Sequence, residues 1–496
     1  MCREIQLSGL NPGNVSDTVS LMAETRSSPA GRPAHSLPRV LGLGSIVSIV
    51  VGGVIGSGIF LVPRDIAAAV GSPLLMMEVW VVGGLLSLCG ALTFAEMGAA
   101  YPQAGGVYIY LREAYGPLPS FLFGWTLFLV IDSGAIATLA VAFSSKYLPF
   151  FIPSLIDPIG PLVLTVPLVG LKVVLTVTLA QAVSLALIAF LVLMNILGTI
   201  VGAWLQNILT FIKFFALVAV CVVVFLFAKG DPRHFTEPRP PAMSLDVLSA
   251  FGLGLIASLW AYKGWEGATY STGETKRPER NIPLGLVAGM LIIIGIYLVA
   301  NLAYLYAFPL GDIARSDRIA ASAMQSAVGP LGAAIIAFII LFSITGAANQ
   351  NFLCSPRVYF AMAKDGLFFK RVAAIHPSYL TPHVSILALG LWSAVLVLFF
   401  GTFERLLTYV VFGQWIFFGL TGAAVMVLRV KKPDLPRPYR TYGYPVIPII
   451  FILSAAVIVL TALLDKPKDT LIGLLLIFLG LPVYFLFKLL GGKARA

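Results

Sequence analysis

Charge is what this chain has least of. Only 11% of its 496 residues are Asp, Glu, Lys or Arg, against roughly 25% in soluble domains, which excludes a large water-facing globule. Histidine is also scarce. The four present (His35, His234, His376 and His383) lie in tail or loop positions, with no base–nucleophile constellation, so an enzyme is not expected. Cysteine is equally sparse: Cys2, Cys89, Cys221 and Cys354 fall in the tail or inside apolar runs. That leaves no pair of external-loop cysteines for a disulfide and no metal-ligand spacing. No metal and no cofactor are expected. The net charge of +11 does not point to nucleic acid, because its basic residues are spread over many short loops, where they orient a membrane protein.

What is abundant is apolar sequence: 59% of residues are hydrophobic and mean hydropathy is +0.95. Apolar stretches recur along almost the whole chain, which makes it a polytopic membrane protein embedded in the lipid bilayer. Residues 1–36 are the exception, polar and rich in Ser, Pro and Gly. They lack the charged start and short apolar run of a signal peptide and read as a disordered cytoplasmic tail.

A crossing helix needs about 20 mostly apolar residues. On that scale the sequence predicts twelve spans: 41–62, 73–99, 118–144, 173–196, 199–228, 248–272, 283–308, 328–362, 383–400, 405–428, 446–464 and 469–489. Residues 147–172 carry Pro149, Pro153, Pro158, Pro161 and Pro167, a spacing that rules out one regular helix and reads as an external excursion. The densest basic loops, Lys276-Arg277-Arg280 and Arg429 to Arg440, share one side if both termini are cytoplasmic.

Two spans are interrupted. The first contains Val51-Gly52-Gly53-Val54-Ile55-Gly56-Ser57-Gly58-Ile59-Phe60, and glycine is a poor residue inside a helix. Gly52 and Gly56 alone would equally serve close helix packing. The sixth span, however, contains Leu259-Trp260-Ala261-Tyr262-Lys263-Gly264-Trp265-Glu266-Gly267, a second break five spans later. Paired breaks at that interval are what an inverted repeat predicts, with the two discontinuous helices side by side at mid-membrane. Freed N–H groups at one half-helix end suit a carboxylate, and freed carbonyls suit an ammonium. A site offering both suits an amino acid.

Four stretches carry a resemblance: Val51 to Phe60; Ala95-Glu96-Met97-Gly98 through Tyr101-Pro102-Gln103-Ala104-Gly105-Gly106 to Pro117-Leu118; Trp260-Ala261-Tyr262 to Asn281-Ile282-Pro283; and Ser355-Pro356-Arg357 through Asp365-Gly366 to Leu380-Thr381-Pro382. With these the chain resembles the amino acid–polyamine–organocation superfamily, and within it the L-type amino acid transporter family, as a prokaryotic-like member. The resemblance implies an all-α, LeuT-like fold with two inverted five-helix repeats (37–228 and 229–430) and two added helices with a short tail (431–496). It also implies alternating access and amino acid exchange in a plasma membrane of prokaryotic type. Its site would comprise Val54, Ile55, Gly56, Ser57 and Gly58 with Trp260, Ala261, Tyr262 and Lys263. The carboxylate would meet N–H groups around Ser57 and Gly58, the ammonium would meet carbonyls near Val54, Trp260 and Lys263, and Trp260 would gate the site.

Lys213, deep in the fifth span, matches a family lysine that looks toward the broken first helix. A charge there is costly, and a fixed ammonium in place of an ion implies sodium independence. Asp132 either bridges helices or lines the pathway. Glu266 either pairs with Lys263 or reaches the cytoplasmic vestibule. Lys263 departs from the small residue the family commonly has. The external region 145–172 lacks the cysteine through which animal members attach a heavy chain, so no disulfide-linked partner is expected, and a monomer or homodimer remains. Neutral amino acids are the favoured cargo. Proton-coupled symport of an amino acid or amine on the same fold is the alternative mechanism; an amino acid sensor or a channel is the alternative from another class.

Overall fold

The computed structural model describes residues 37–56, 58–156, 158–166, 171–237, 244–400, 403–465 and 467–492. The expected disordered tail (1–36) and Ser57 therefore lie outside the described residues. Pro38–Ala496 forms one compact unit.

Helices dominate. In chain order they are α1 (Leu43–Val54), α2 (Gly58–Val70), α3 (Pro73–Ala100), α4 (Val107–Tyr115), α5 (Pro117–Thr126) and α6 (Asp132–Val141). A short antiparallel hairpin, β1 (Pro158–Val166) with β2 (Leu171–Thr178), precedes α7 (Leu179–Ile196), α8 (Thr199–Phe227), α9 (Leu245–Ala261) and α10 (Gly267–Tyr270). The rest are α11 (Pro278–Ala307), α12 (Leu310–Arg315), α13 (Ile319–Val328), α14 (Pro330–Cys354), α15 (Pro356–Lys364), α16 (His383–Phe400), α17 (Phe403–Lys431), α18 (Val446–Asp465), α19 (Pro467–Phe478) and α20 (Gly480–Gly492). Proline opens α3, α5, α11, α14, α15 and α19. Its missing N–H costs nothing at a first helical position.

Among the described residues nine helical segments are long and apolar enough to cross a membrane, and a tenth if α1 and α2, bent by 45°, count as one broken span. Leu245–Ala261, Ile319–Val328 and His383–Phe399 are apolar but shorter; the first and third of them fall on the sixth and ninth expected spans. The first of these is short because its span breaks after Ala261. The outer face of α8 bears Ile200, Trp204, Phe211 and Phe215, all exposed. An apolar face of that extent belongs against lipid.

The fourth expected span, 173–196, is corrected at its start. Residues 171–178 pair as a strand, and the helix begins only at Leu179. The β-branched run Val173-Val174-Leu175-Thr176-Val177-Thr178 favours extended backbone. Thr178 then caps the helix reciprocally with Gln181, its hydroxyl accepting the Gln181 N–H at 3.2 Å. Upstream, residues 142–147 and 148–156 are irregular helical turns, in keeping with the prolines expected to exclude one regular helix.

Two packings position the interrupted helices. α11 lies against α1, where a Cβ on Gly285 would come within 2.3 Å of Ile46 Cγ2 and one on Gly289 within 2.5 Å of Val50 Cγ1. Small residues there let the two backbones approach. Trp265, in the turn after α9, is clamped edge-on by Phe94 at 4.9 Å between ring centroids and tilted against Phe418 at 5.7 Å.

Candidate functional site

The first break begins where α1 unwinds. The Ile55 N–H still donates to Val51 O at 2.9 Å, but its ψ of 84° leads the chain out of the helix. The last carbonyls of a helix have no partner within it and carry its negative end. Here Gly52 O, Val54 O and Ile55 O meet side chains from other helices, and Val54 O also accepts the Gly56 N–H at 2.7 Å. The Lys213 ammonium donates to Gly52 O and, at 2.7 Å, to Ile55 O. Ser343 Oγ donates to Ile55 O at 3.0 Å, and the Tyr297 hydroxyl lies 2.9 Å from Val54 O. Lys213 is buried on α8, so a cation faces the dipole end that favours it.

The second break is the turn Tyr262–Glu266. Gly264 adopts φ +119°, a conformation L side chains rarely take. Its N–H donates to Glu266 Oε2 at 3.0 Å; Gln350 on α14 reaches its carbonyl at 3.4 Å. The breaks touch each other. A Cβ on Gly264 would lie 2.6 Å from Gly53 O, and one on Gly58 would lie 2.9 Å from the Ala261 Cα. Tyr297 also spans them, its hydroxyl standing 3.2 Å from Ala261 O.

Between the breaks is a cavity of about 100 Å³. Its walls are Gly53, Val54, Gly56 and Gly58 from the first break, and Trp260, Ala261, Lys263, Gly264 and Glu266 from the second. α6 adds Asp132, Ala135, Thr138 and Leu139; α14 adds Ala347, Gln350 and Asn351. An irregular turn over Leu127–Ile131, with the Asp132 N–H reaching back five residues to Leu127 O, aims the start of α6. Such wide turns recur at functional positions.

Of the residues singled out from sequence, Val54, Gly56, Gly58, Trp260, Ala261, Lys263, Asp132 and Glu266 line this cavity. Ile55 lies behind its wall with its carbonyl occupied by Lys213 and Ser343. The Tyr262 side chain turns away: its hydroxyl donates to Trp80 O at 3.1 Å, and its ring packs on Tyr297 at 5.1 Å. For Glu266 the alternatives are a pair with Lys263 and a place in the cytoplasmic vestibule. Glu266 accepts from the Gly264 N–H and from Gln414 Nε2, and among the described residues no ion pair joins it to Lys263. A carboxylate two residues past an unwound N–H satisfies that donor locally, as a helix cap does. Sequence reasoning missed Tyr297, Ser343, Gln350 and Gln414. The only available signal was a polar residue inside an apolar run.

The segment before α1 is tied to the segment after α10. Leu41 bridges Thr275, and the Val40 and Leu41 N–H groups donate to Glu274 O at 2.8 and 2.9 Å. The Glu274 carboxylate is buried against Arg357, with Thr199 Oγ1 donating to it at 2.7 Å. Midway along α2, Arg64 meets Asp317, but this pair is solvent-exposed.

The sequence matches the amino acid permease family over residues 41–484. It is 32% identical over 459 residues to the b(0,+)-type amino acid transporter 1 of Homo sapiens, covering 91% of this chain and 88% of that protein. It is 30% identical over 457 residues to the serine/threonine exchanger SteT of Bacillus subtilis, covering 92% and 98%. With the large neutral amino acids transporter small subunit 2 of Oryctolagus cuniculus it shares 32% identity over 463 residues, covering 92% and 82%.

Proposed function

Because the chain belongs to the amino acid permease family of the amino acid–polyamine–organocation superfamily, a family of membrane transporters rather than enzymes, we propose that it is a sodium-independent exchanger of neutral amino acids. It works by alternating access. The observation that carries this reading is the cavity between two touching helix breaks, walled by unwound backbone. Backbone N–H groups at the start of α2, around Ser57 and Gly58, receive the substrate carboxylate; carbonyls near Val54, Trp260 and Lys263 receive its ammonium. Trp260, half-buried on the cavity wall, covers the bound substrate. Lys213 holds the α1 carbonyls with a fixed charge, which supports independence from sodium.

In this reading twelve helices form two inverted five-helix repeats, 37–228 and 229–430, with discontinuous first and sixth helices; residues 431–496 add two more and a short tail. Both termini are cytoplasmic in a prokaryotic plasma membrane. The protein acts without a disulfide-linked heavy chain, as monomer or homodimer. Exchange follows if the empty carrier reorients more slowly than the loaded one. The names of two relatives, a serine/threonine exchanger and a transporter of large neutral amino acids, support neutral cargo and exchange.

The test is uptake of labelled amino acids into proteoliposomes with and without internal amino acid, sodium and a pH gradient. Uptake that requires internal substrate and ignores sodium is expected. Uptake into empty vesicles driven by a pH gradient would overturn exchange in favour of proton-coupled symport.

A further inference from the structure

We propose that Asp132 and Lys263 form a side-chain subsite for an uncharged, doubly hydrogen-bonding group, best met by the carboxamide of asparagine or glutamine. This rests on the amino acid transport reading above and names the substrate class within it.

The two carboxylates in the cavity wall differ in what they have left to offer. Glu266 is occupied at both oxygens, by the Gly264 N–H at 3.0 Å and by Gln414 Nε2. Asp132 is not. It is 5% exposed, lines the cavity, and its Oδ2 is buried without a hydrogen-bond partner. Two turns along the same helix, Thr138 Oγ1 is likewise buried, unpartnered and in the cavity wall. Buried polar atoms are nearly always bonded to something, and here the open space beside them is the place for a donor. Lys263 supplies the complementary group. It lines the same cavity, and among the described residues no carboxylate lies within ion-pair distance of it.

Charge balance narrows the occupant. One ammonium, Lys263, and two carboxylates, Asp132 and Glu266, line the cavity, and a second ammonium, Lys213, stands behind its wall on Ile55 O. At their ordinary charges these sum to zero. A zwitterionic amino acid with an uncharged side chain preserves that balance. A cationic or anionic side chain leaves one uncompensated charge at mid-membrane, where such charges are costly. A purely apolar side chain leaves Asp132 Oδ2 dehydrated and without a donor. A carboxamide answers both walls, its N–H₂ donating to Asp132 and its carbonyl accepting from Lys263. A hydroxyl must supply both functions from one atom.

The experiment is counterflow in proteoliposomes holding the full-length protein. Labelled glutamine is competed by asparagine, leucine, glutamate and lysine. Hydrogen bonds to charged groups predict that glutamine and asparagine exceed leucine by about 10- to 100-fold in kcat/KM, with glutamate and lysine also below them. The variants then shift the ranking in opposite senses: Asp132→Asn moves it toward glutamate, and Lys263→Ala moves it toward lysine. A subsite with a purely structural role would lower all rates together and leave the order intact. Wild-type leucine matching or exceeding glutamine would overturn the proposal, as would an unchanged ranking in both variants. Because the wild-type ranking needs no variant, a misfolded mutant does not block the test. If the wild-type protein moves none of these amino acids and no serine or threonine, the transport reading itself fails; if it moves leucine, glutamate, lysine, serine or threonine in preference, only the subsite fails.

Discussion

Replacing Gly264 with alanine probes the junction of the two breaks most directly. Gly264 holds φ +119°, where a side chain costs about 1–3 kcal/mol in backbone strain. The added methyl would also sit 2.6 Å from Gly53 O and 2.7 Å from Gly53 C. Both are backbone atoms of the opposing break, with no flexible side chain to yield, so overpacking adds roughly 1–3 kcal/mol. Together the penalty is about 2–6 kcal/mol, and it falls on the separation of α1 from the Tyr262–Glu266 turn. Exchange in proteoliposomes should drop by at least about 30-fold, with protein still recovered from the membrane at low temperature. The matched control is Gly295→Ala on α11, where nothing lies within 4 Å of the new methyl and helix propensity gains up to about 1 kcal/mol. It should transport like wild type. Wild-type exchange by Gly264→Ala would refute the claim that the breaks meet backbone to backbone.

Three further outcomes follow from the same geometry. Lys213→Ala removes the only donor to Gly52 O among the described residues, costing about 1–3 kcal/mol for a buried carbonyl and at least about fivefold in exchange rate; unchanged initial rates would remove Lys213 from the machinery. Glu274→Ala strands the Arg357 guanidinium, 1% exposed, for about 3–5 kcal/mol, and the purified protein should melt several degrees lower; an unchanged melting temperature would show that the pair does not contribute to stability. At the surface, burial opposes ionisation of Glu113, but hydrogen bonds from Lys432 and Arg112 outweigh it and hold the carboxyl below its ordinary 4.5. The stability this contributes is complete above 4.5 and is lost as pH falls through the lowered value. The melting-temperature gap between wild type and Glu113→Gln should therefore be present at neutral pH and close in acid. A gap that widens in acid would reverse the assignment.

Glycines and buried charges made the centre of the molecule readable from sequence alone. Gly53, Gly56, Gly58 and Gly264 lie where a helix former would be expected, and they are the residues at which the two breaks unwind and approach. Lys213 stood out because an ammonium in an apolar run needs a compensating partner; its partners are the carbonyls that unwinding sets free. What escaped were partners distant in sequence. Tyr297 serves carbonyls 243 and 36 residues away, and Gln350 reaches back 86 residues to Gly264. A polar side chain in an apolar helix does not announce which face it occupies until the neighbouring helices are placed. The hairpin was hidden for another reason. Val173 to Val177 is apolar enough to read as membrane sequence, and only the β-branched pattern with the Thr178 cap separates strand from helix.

The Tyr297 phenol has one hydrogen to give and two carbonyls within reach, Val54 O and Ala261 O. It can satisfy only one at a time. Val54 O keeps the Gly56 N–H at 2.7 Å in either case, so among the described residues it is Ala261 O that is left open to a second cation or donor when the phenol turns to Val54. Under the proposed function an arriving ammonium that takes one carbonyl turns the hydroxyl toward the other. Occupancy at one broken helix is thereby reported to its counterpart by the swing of a single O–H, with no change of protonation and no movement of either backbone.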